Sequence, residues 1–580
     1  MDTLNTAAVD PITVEVIRSY YESTARQMRN VLVRGSFNPV IYEMVDFSLG
    51  VYNRNAELIA EGPGIPFFMG ALTFAIREIV NYVGEANLRD GDVVLSTYPF
   101  WTGSHPQDAT LVQPIFVDGR IFGYAAAKAH WMDLGAKDIY GIDTTDIWQE
   151  GLQVFGAKVV QEGVLNREIV EIIRANSRVP DACVGDLTAQ ISACNIGTRL
   201  TQELARKYGA ATVEAAVSRM LDHGEAIARR EIAAMPDGEW VAQAAMDNNG
   251  ITDEHVPLQV RIKISGDEIL VDTTGSAAQQ VGPVNCPLAT TVSFIRMVMK
   301  MIVAPDQTAN EGFFRPLKLN IPAGSVLNPR TPAPVFLYSW SAFPMGDAMF
   351  KAFAQATPER SVARSGGDIG GLLFSWQDRA SGAFVAGGWD ESVGQGASIS
   401  EDGESALVHY SLGESRNVPV EVAEQRYPIH VECYELWNDS AGPGRFRGGL
   451  GVRKFWHPLE EIRLIAVIEQ TCFPAWGLEG GKQGCANRLV LKAGSAQERC
   501  KGKVSGFHIQ PGERIELYMG GGGGWGNPLE REPAKVLRDV RGGYVSLRSA
   551  QDDYGVVIRE PQPGVFELDE AATQRIRRNT

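Results

Sequence analysis

The side chains best suited to chemistry are concentrated between Thr97 and Asp133. His105 and Asp108 lie in Ser-His-Pro-Gln-Asp, and His130 and Asp133 in Ala-His-Trp-Met-Asp. Between them sits Asp118-Gly119, the strongest short hairpin signal when strand-like runs flank it. If these two residues form the turn, Val117 faces Arg120. His130 then falls opposite Gln107, next to Asp108 and within a few residues of His105. Two imidazoles and one or two carboxylates would meet at the open end of one hairpin. That is the donor set of catalytic zinc, manganese or iron sites, where a position stays open for water. A divalent ion there lowers the pKa of that water to roughly 7 and makes it a nucleophile at neutral pH. The competing reading is a pair of hydrogen-bonded loop histidines. With only 8 histidines in the chain, two beside acids at one hairpin mouth raise the weight of the metal reading.

Asp46, in Glu-Met-Val-Asp-Phe-Ser, and Asp133 are further candidate carboxylates, although on spacing alone Asp46 reads as a capping or turn residue. Gly520–Gly524 does not make a phosphate loop. It leads into Trp-Gly-Asn-Pro where a Walker loop requires Gly-Lys-Ser/Thr opening a helix, and a turn with closely passing backbones fits better. Ser104, Ser440 and Cys286 lack the Gly-x-Ser-x-Gly elbow or a base paired with them at the sequence level. Any nucleotide chemistry therefore belongs to a partner chain.

The elements that must carry these residues can be read in part. Asp10-Pro11 opens a helix whose apolar residues recur at helical spacing from Ile17 to Leu32. Residues 71–83, 167–174, 187–206, 209–234, 288–302 and 533–540 also read as helices. Strand-like runs cover 92–98, 110–117, 120–128, 258–264, 268–272, 429–436, 462–468, 487–492 and 514–518. Beyond Phe314 the chain becomes β-rich and full of glycine. The expected fold is α+β and multi-domain: a mixed N-terminal half carrying the metal site and a glycine-rich, β-rich C-terminal half. The expected regions are 1–235, 236–425 and 426–580, since 580 residues exceed what one core holds.

A net charge of −16 argues against nucleic acid and anionic membranes. No apolar run approaches a membrane span, and Met-Asp-Thr-Leu-Asn-Thr has neither the basic start nor the apolar core of a signal peptide. Seven scattered cysteines without CxxC spacing suit reduced thiols in a cytoplasm.

Over nearly its whole length the chain resembles the hydantoinase B/oxoprolinase family. The matching segments are Asp46-Phe-Ser, Gly103-Ser-His-Pro-Gln-Asp108, Ala129-His-Trp-Met-Asp133, Gln149-Glu-Gly-Leu152 and Val284-Asn-Cys-Pro287. Further along come Asn417-Val-Pro-Val-Glu421, Gly444-Arg-Phe-Arg-Gly-Gly-Leu-Gly451, Trp476-Gly-Leu-Glu-Gly-Gly481, Gly520–Gly526 and Asp553-Tyr-Gly-Val556. Their common order carries the resemblance more than any one motif. It implies a metal held by Asp46, His105, Asp108 and His130, and a larger hydantoinase A-like subunit that binds ATP and phosphorylates a substrate carbonyl oxygen. Two departures stand out: Thr97-Tyr-Pro-Phe100 with Trp101-Thr-Gly103 before the first histidine, and Asp133-Leu-Gly-Ala136 after the second. Gaining Trp101 while losing an acid points to a more apolar pocket than hydantoin or 5-oxoproline needs.

The expected activity is therefore that of the metal-dependent subunit of an ATP-dependent cyclic amidase. This hydrolase would act on a hydantoin, oxoproline or lactam ring, with water activated at the metal and Asp133 or Glu43 moving protons. The alternatives are the corresponding subunit of a ketone carboxylase and a non-catalytic assembly subunit. All three imply a cytoplasmic hetero-oligomer.

Overall fold

A computed structural model describes residues 9–68, 70–379 and 381–579. The first eight residues, read above as no export signal, lie outside the described residues. The chain forms two compact units: Met1–Gln243, Leu258–Met349 and Ser411–Arg416 in the first, Ala244–Pro257, Phe350–Tyr410 and Asn417–Thr580 in the second. No helix among the described residues is long and apolar enough to cross a membrane.

In unit 1, Asp10 caps the helix Pro11–Gly35 by accepting the N–H groups of Ile12 and Thr13, and Pro11 fills the first turn. A seven-stranded antiparallel sheet follows: β1 (Phe47–Asn53), β2 (Leu58–Glu61), β3 (Val93–Ser96), β4 (Asp108–Val117), β5 (Arg120–His130), β6 (Ala157–Gln161) and β7 (Val164–Leu165), in spatial order β2-β1-β5-β4-β3-β6-β7. Both faces of its middle are buried. Ala125, Ala127 and Ala129 of β5 share a core with Met28 and Leu32 of the first helix. Tyr124 and Ala126, on the opposite face, pack with Leu72, Ile76 and Ile79 of the helix Ala71–Val83. Strands covered on both sides lose the apolar/polar alternation of a half-exposed sheet. Hence β1 and β2 were missed in the sequence.

The β4–β5 hairpin has the expected turn, with Asp118 and Gly119 both left-handed at φ 51° and 74°. Val117 pairs with Arg120 and Phe116 with Ile121, as a two-residue turn dictates. The register then shifts. Ile115 pairs with Gly123, leaving Phe122 as the extra residue of a β-bulge. The bulge sends Phe122 into the first-helix core while Ile121 and Tyr124 remain in the other. Every later pair moves by one, so His130 stands opposite Asp108 and not Gln107.

Unit 2 is the β-rich part. One sheet joins Phe384–Trp389, Gly371–Gln377, Ile462–Val467 and Lys503–Ile509, and a second joins Ile429–Leu436, Val452–Pro458, Ile515–Tyr518, Arg488–Leu491 and Arg499–Cys500. Phe374, Trp389 and Trp456 meet in its core with ring centroids 5.2–5.8 Å apart. Gly520–Gly526 is an extended segment that bonds to several others at once. The N–H groups of Gly522, Gly523 and Gly524 go to the carbonyls of Gly449, Arg364 and Lys482, and the Gly522 and Gly523 carbonyls accept from Gly442 and Ala397. A Cβ on Gly522 would stand 2.0 Å from the Gln395 carbonyl oxygen, so the run is structural packing. The 19-residue helix Tyr338–Ala356, whose residues up to Met349 belong to unit 1, stands where the sequence reads as β-rich. Its internal Pro344 is a residue that ordinarily ends a helix.

Candidate metal centre

Three adjacent strands place three ligand positions in one row. Phe47 of β1 faces Ala129 of β5, which sets Asp46 beside His130, and the His130 N–H donates to the Asp46 carbonyl at 3.2 Å. On the other side of β5 the bulged register sets Asp108 opposite His130. Paired positions share a face at ~4.5–5.5 Å. His105 reaches the row from the preceding loop. Gly103 turns that loop at φ 89°, where an added Cβ would meet Thr290 Oγ1 at 2.9 Å. The Asp108 N–H then donates to the His105 carbonyl at 3.1 Å and folds the imidazole back over the strand.

The result is a tight triangle. His105 Nε2 lies 3.0 Å from His130 Nδ1 and 3.1 Å from Asp108 Oδ1, and His130 Nδ1 lies 3.0 Å from the same oxygen. Asp46 Oδ2 stands 4.0 Å from His130 Nδ1 and is about a quarter exposed, whereas the other three are buried. His105 Nδ1 donates to the Phe336 carbonyl at 3.0 Å, which fixes the tautomer and leaves Nε2 as a bare lone pair. His105 Nε2, Asp108 Oδ1 and His130 Nδ1 thus crowd together as three potential electron-pair donors. Ligands at right angles on one ion with bonds of about 2.1 Å lie about 3.0 Å apart, so the triangle fits a divalent ion. Among the described residues, His105, Asp108 and His130 form the one such group of three.

Burial pushes the Asp108 carboxyl up, but the two imidazoles outweigh it and hold the group well below the usual carboxylate range. The Tyr338 hydroxyl donates to Asp108 Oδ2 at 2.8 Å, and burial with the nearby carboxylates keeps that phenol protonated. Glu150 is fully buried. Its carboxylate accepts the N–H of Val335 at 2.8 Å, the N–H of Phe336 at 2.9 Å and the Thr144 hydroxyl at 2.8 Å. It therefore fixes the backbone whose next carbonyl orients His105. Burial raises that carboxyl to about 8 against these donors. Lys128 lies two residues before His130 on the same strand face, donates to the Thr102 carbonyl at 2.5 Å and stands 4.7 Å from the centre of the Phe68 ring. Burial lowers it to about 8, with Asp108 and Asp46 opposing.

The remaining expected residues are not members of the triangle. Asp133 is 1% exposed, and its carboxylate is engaged by Arg178 at 3.0 and 3.1 Å and by the N–H groups of Gly135 and Arg178. Glu43 ends the short helix Pro39–Tyr42, three residues before Asp46. Trp101 packs against Tyr82, Tyr98 and Phe155 at 5.2–5.4 Å. The rings around His105 are Phe336, Tyr338 and Tyr140 instead, so the apolar wall arises from residues the sequence reading passed over. Lys128 could have been found from strand alternation with His130. Tyr338 and Phe336, more than 200 residues away, left no local signal.

Three comparisons place these features among known proteins. The beta subunit of caprolactamase from Pseudomonas jessenii is 30% identical over 97% of this chain and 98% of its own. The crystal structure of the ATP-dependent caprolactamase from that organism aligns with a TM-score of 0.89 and 28% identity, covering 99% of this chain and all of the other. A nucleotide-free acetone carboxylase aligns with a TM-score of 0.88 at 20% identity, covering 100% of this chain and 84% of that one, which speaks for the shared fold alone. The hydantoinase B/oxoprolinase family model matches residues 10–528, and the chain belongs to that family.

Proposed function

We propose that this chain is the metal-dependent subunit of an ATP-dependent cyclic amidase that opens a lactam-like ring. The observation that carries the reading is the His105–Asp108–His130 triangle, in a chain that matches a caprolactamase beta subunit from end to end. A divalent ion (zinc, manganese or iron) held by these residues with Asp46 supplies Lewis acidity and a water activated near neutral pH. Tyr338 holds the Asp108 carboxylate in place, and the Phe336 carbonyl holds His105. Phe336, Tyr338 and Tyr140 give an apolar wall suited to a methylene-rich ring. Asp133, which is engaged by Arg178, or Glu43 would move protons there. ATP is used by a hydantoinase A-like partner that activates the ring carbonyl, and the working enzyme is a cytoplasmic hetero-oligomer.

The test is to co-express the chain with such a partner, measure metal content, and assay lactams, hydantoins, 5-oxoproline and ketones with ATP. Ring opening without bicarbonate, lost in His105→Ala together with the metal, is the expected result. Bicarbonate-dependent ketone consumption would replace the amidase by a carboxylase. A metal-free chain whose complex is indifferent to His105→Ala would make it an assembly subunit.

A further inference from the structure

Unit 2 carries a second pair of histidines that the metal centre does not use. His430 lies on Ile429–Leu436, an edge strand of its sheet, and pairs directly with His457 on Val452–Pro458. Directly paired residues share a sheet face, and their side chains are close enough to bind one ligand. The two ring centroids are 5.3 Å apart with the planes inclined at 61°. The imidazoles of the candidate metal centre stand 4.9 Å apart at the same 61°.

Each ring is oriented from behind by a carboxylate. His430 Nδ1 lies 3.0 Å from Glu424 Oε1, and that oxygen is itself fixed by the Val431 N–H at 2.7 Å. His457 Nδ1 donates to Glu432 Oε1 at 3.0 Å. The Glu432 placement has a backbone cause. The register skips between Val431 and Cys433, so Glu432 is the unpaired residue of a β-bulge, a device that re-aims a side chain. In the neutral tautomer that carries its proton on Nδ1, beside the carboxylate, each ring has a lone pair on Nε2, and neither Nε2 has a hydrogen-bond partner among the described residues. His430 is 54% exposed and His457 24%, so an ion can reach them without opening the fold.

We infer that His430 and His457 form a second metal site, a two-imidazole clamp with Glu424 and Glu432 as its orienting carboxylates. A carboxylate behind each imidazole is the usual support of a metal-ligating histidine. Two neutral imidazoles without a thiolate select borderline dications such as Zn²⁺, Ni²⁺ or Cu²⁺ over Mg²⁺ or Ca²⁺. Two ligands leave coordination positions open to water or to a residue of another chain. The plainer account is two independent surface ion pairs, each present only when its histidine is protonated and each worth about 0–1 kcal/mol.

The two accounts separate on titration of the full chain with Zn²⁺ alone at pH 7.5, by calorimetry, after the His105 centre has been filled. The wild type is expected to take up one further equivalent, which His430→Asn and His457→Asn each abolish. Glu424→Gln and Glu432→Gln should weaken that uptake about 10-fold or more while keeping the stoichiometry. Cu²⁺ bound at the same site should show nitrogen hyperfine structure from two imidazoles in its paramagnetic resonance spectrum, reduced to one in either histidine variant. These positions are exposed, so the variants fold, and unchanged circular dichroism checks it. The same Zn²⁺ uptake in wild type and both histidine variants would overturn the inference, as would the absence of any further equivalent in the wild type.

Discussion

His130 stands opposite Asp108, its Nδ1 3.0 Å from Oδ1, because Phe122 is one residue more than the two-residue hairpin needs. Were Phe122 paired in register and not bulged out, Gln107 would face His130 and Asp108 would pair with Ala129, whose side chain enters the core beneath the sheet. Side-chain direction alternates along a strand, so a slip of one residue moves an entire set to the other face. The bulge therefore shapes the candidate metal centre from eight residues before His130.

The ligands should not be equal on substitution. Asp108 is buried at the corner nearest both imidazoles, whereas Asp46 is 4.0 Å from His130 and partly exposed. Asp108→Asn is expected to abolish stoichiometric metal, and Asp46→Asn to leave a bound but weaker ion. Metal content by elemental analysis with competition against a chelator checks the order. Equal losses would count against the row geometry.

Tyr338→Phe removes one hydroxyl and keeps the ring among its aromatic neighbours. Loss of an outer hydrogen bond to a ligand costs metal affinity or activity about 10–100-fold. The variant should fold with unchanged thermal stability to within about 1 kcal/mol. Metal affinity equal to wild type would show that the Asp108 carboxylate needs no support from the phenol.

Glu150→Gln keeps size, and its amide oxygen can stand in for the one carboxyl oxygen that Val335, Phe336 and Thr144 all reach. Only the second contact of the Val335 N–H, to the other oxygen at 3.0 Å, is replaced by an N–H₂, at about 1 kcal/mol. Urea denaturation measures that loss. A parallel fall in metal affinity is expected, because the Phe336 carbonyl then orients His105 less firmly. Glu150→Asp should lose more of both, since the shorter side chain cannot reach both N–H groups.

Lys128 gives a pH signature. Burial lowers it to about 8 from 10.5, with Asp108 and Asp46 opposing. A base with a depressed folded pKa binds fewer protons folded than unfolded between those values. Stability then rises with pH across that window, and the penalty is complete below about pH 8. At about 1.4 kcal/mol per unit the metal-free protein carries about 3 kcal/mol of destabilisation at pH 7. Lys128→Met should relieve about 2 kcal/mol of it, allowing about 1 kcal/mol for the lost Thr102 hydrogen bond. Unfolding at pH 7 and pH 10 tests the sign: the gain should be large at the first and nearly gone at the second.

The N-terminal helix and Ala71–Val83 were legible because their apolar residues repeat at helical spacing and Asp10-Pro11 supplies a start. The hairpin turn was legible from Asp118-Gly119, and with it the meeting of His105, Asp108 and His130. Register beyond the turn was not, since the Phe122 bulge answers to packing on both sheet faces. Tyr338 and Glu150 were invisible for the same kind of reason: their partners are 230 and 185 residues away, and no local period links them.

The glycine segment Gly520–Gly526 has a consequence for synthesis of the chain. Arg364, Gly449 and Lys482 are all made before it, yet their carbonyls accept from Gly523, Gly522 and Gly524. Domains fold as they emerge, N-terminal parts first. Unit 2 cannot do so piecemeal, because earlier segments wait with open hydrogen-bonding groups until residue 526 has left the ribosome. A chain released before that point would keep His105, Asp108 and His130 in unit 1 and expose the unclosed edges of unit 2.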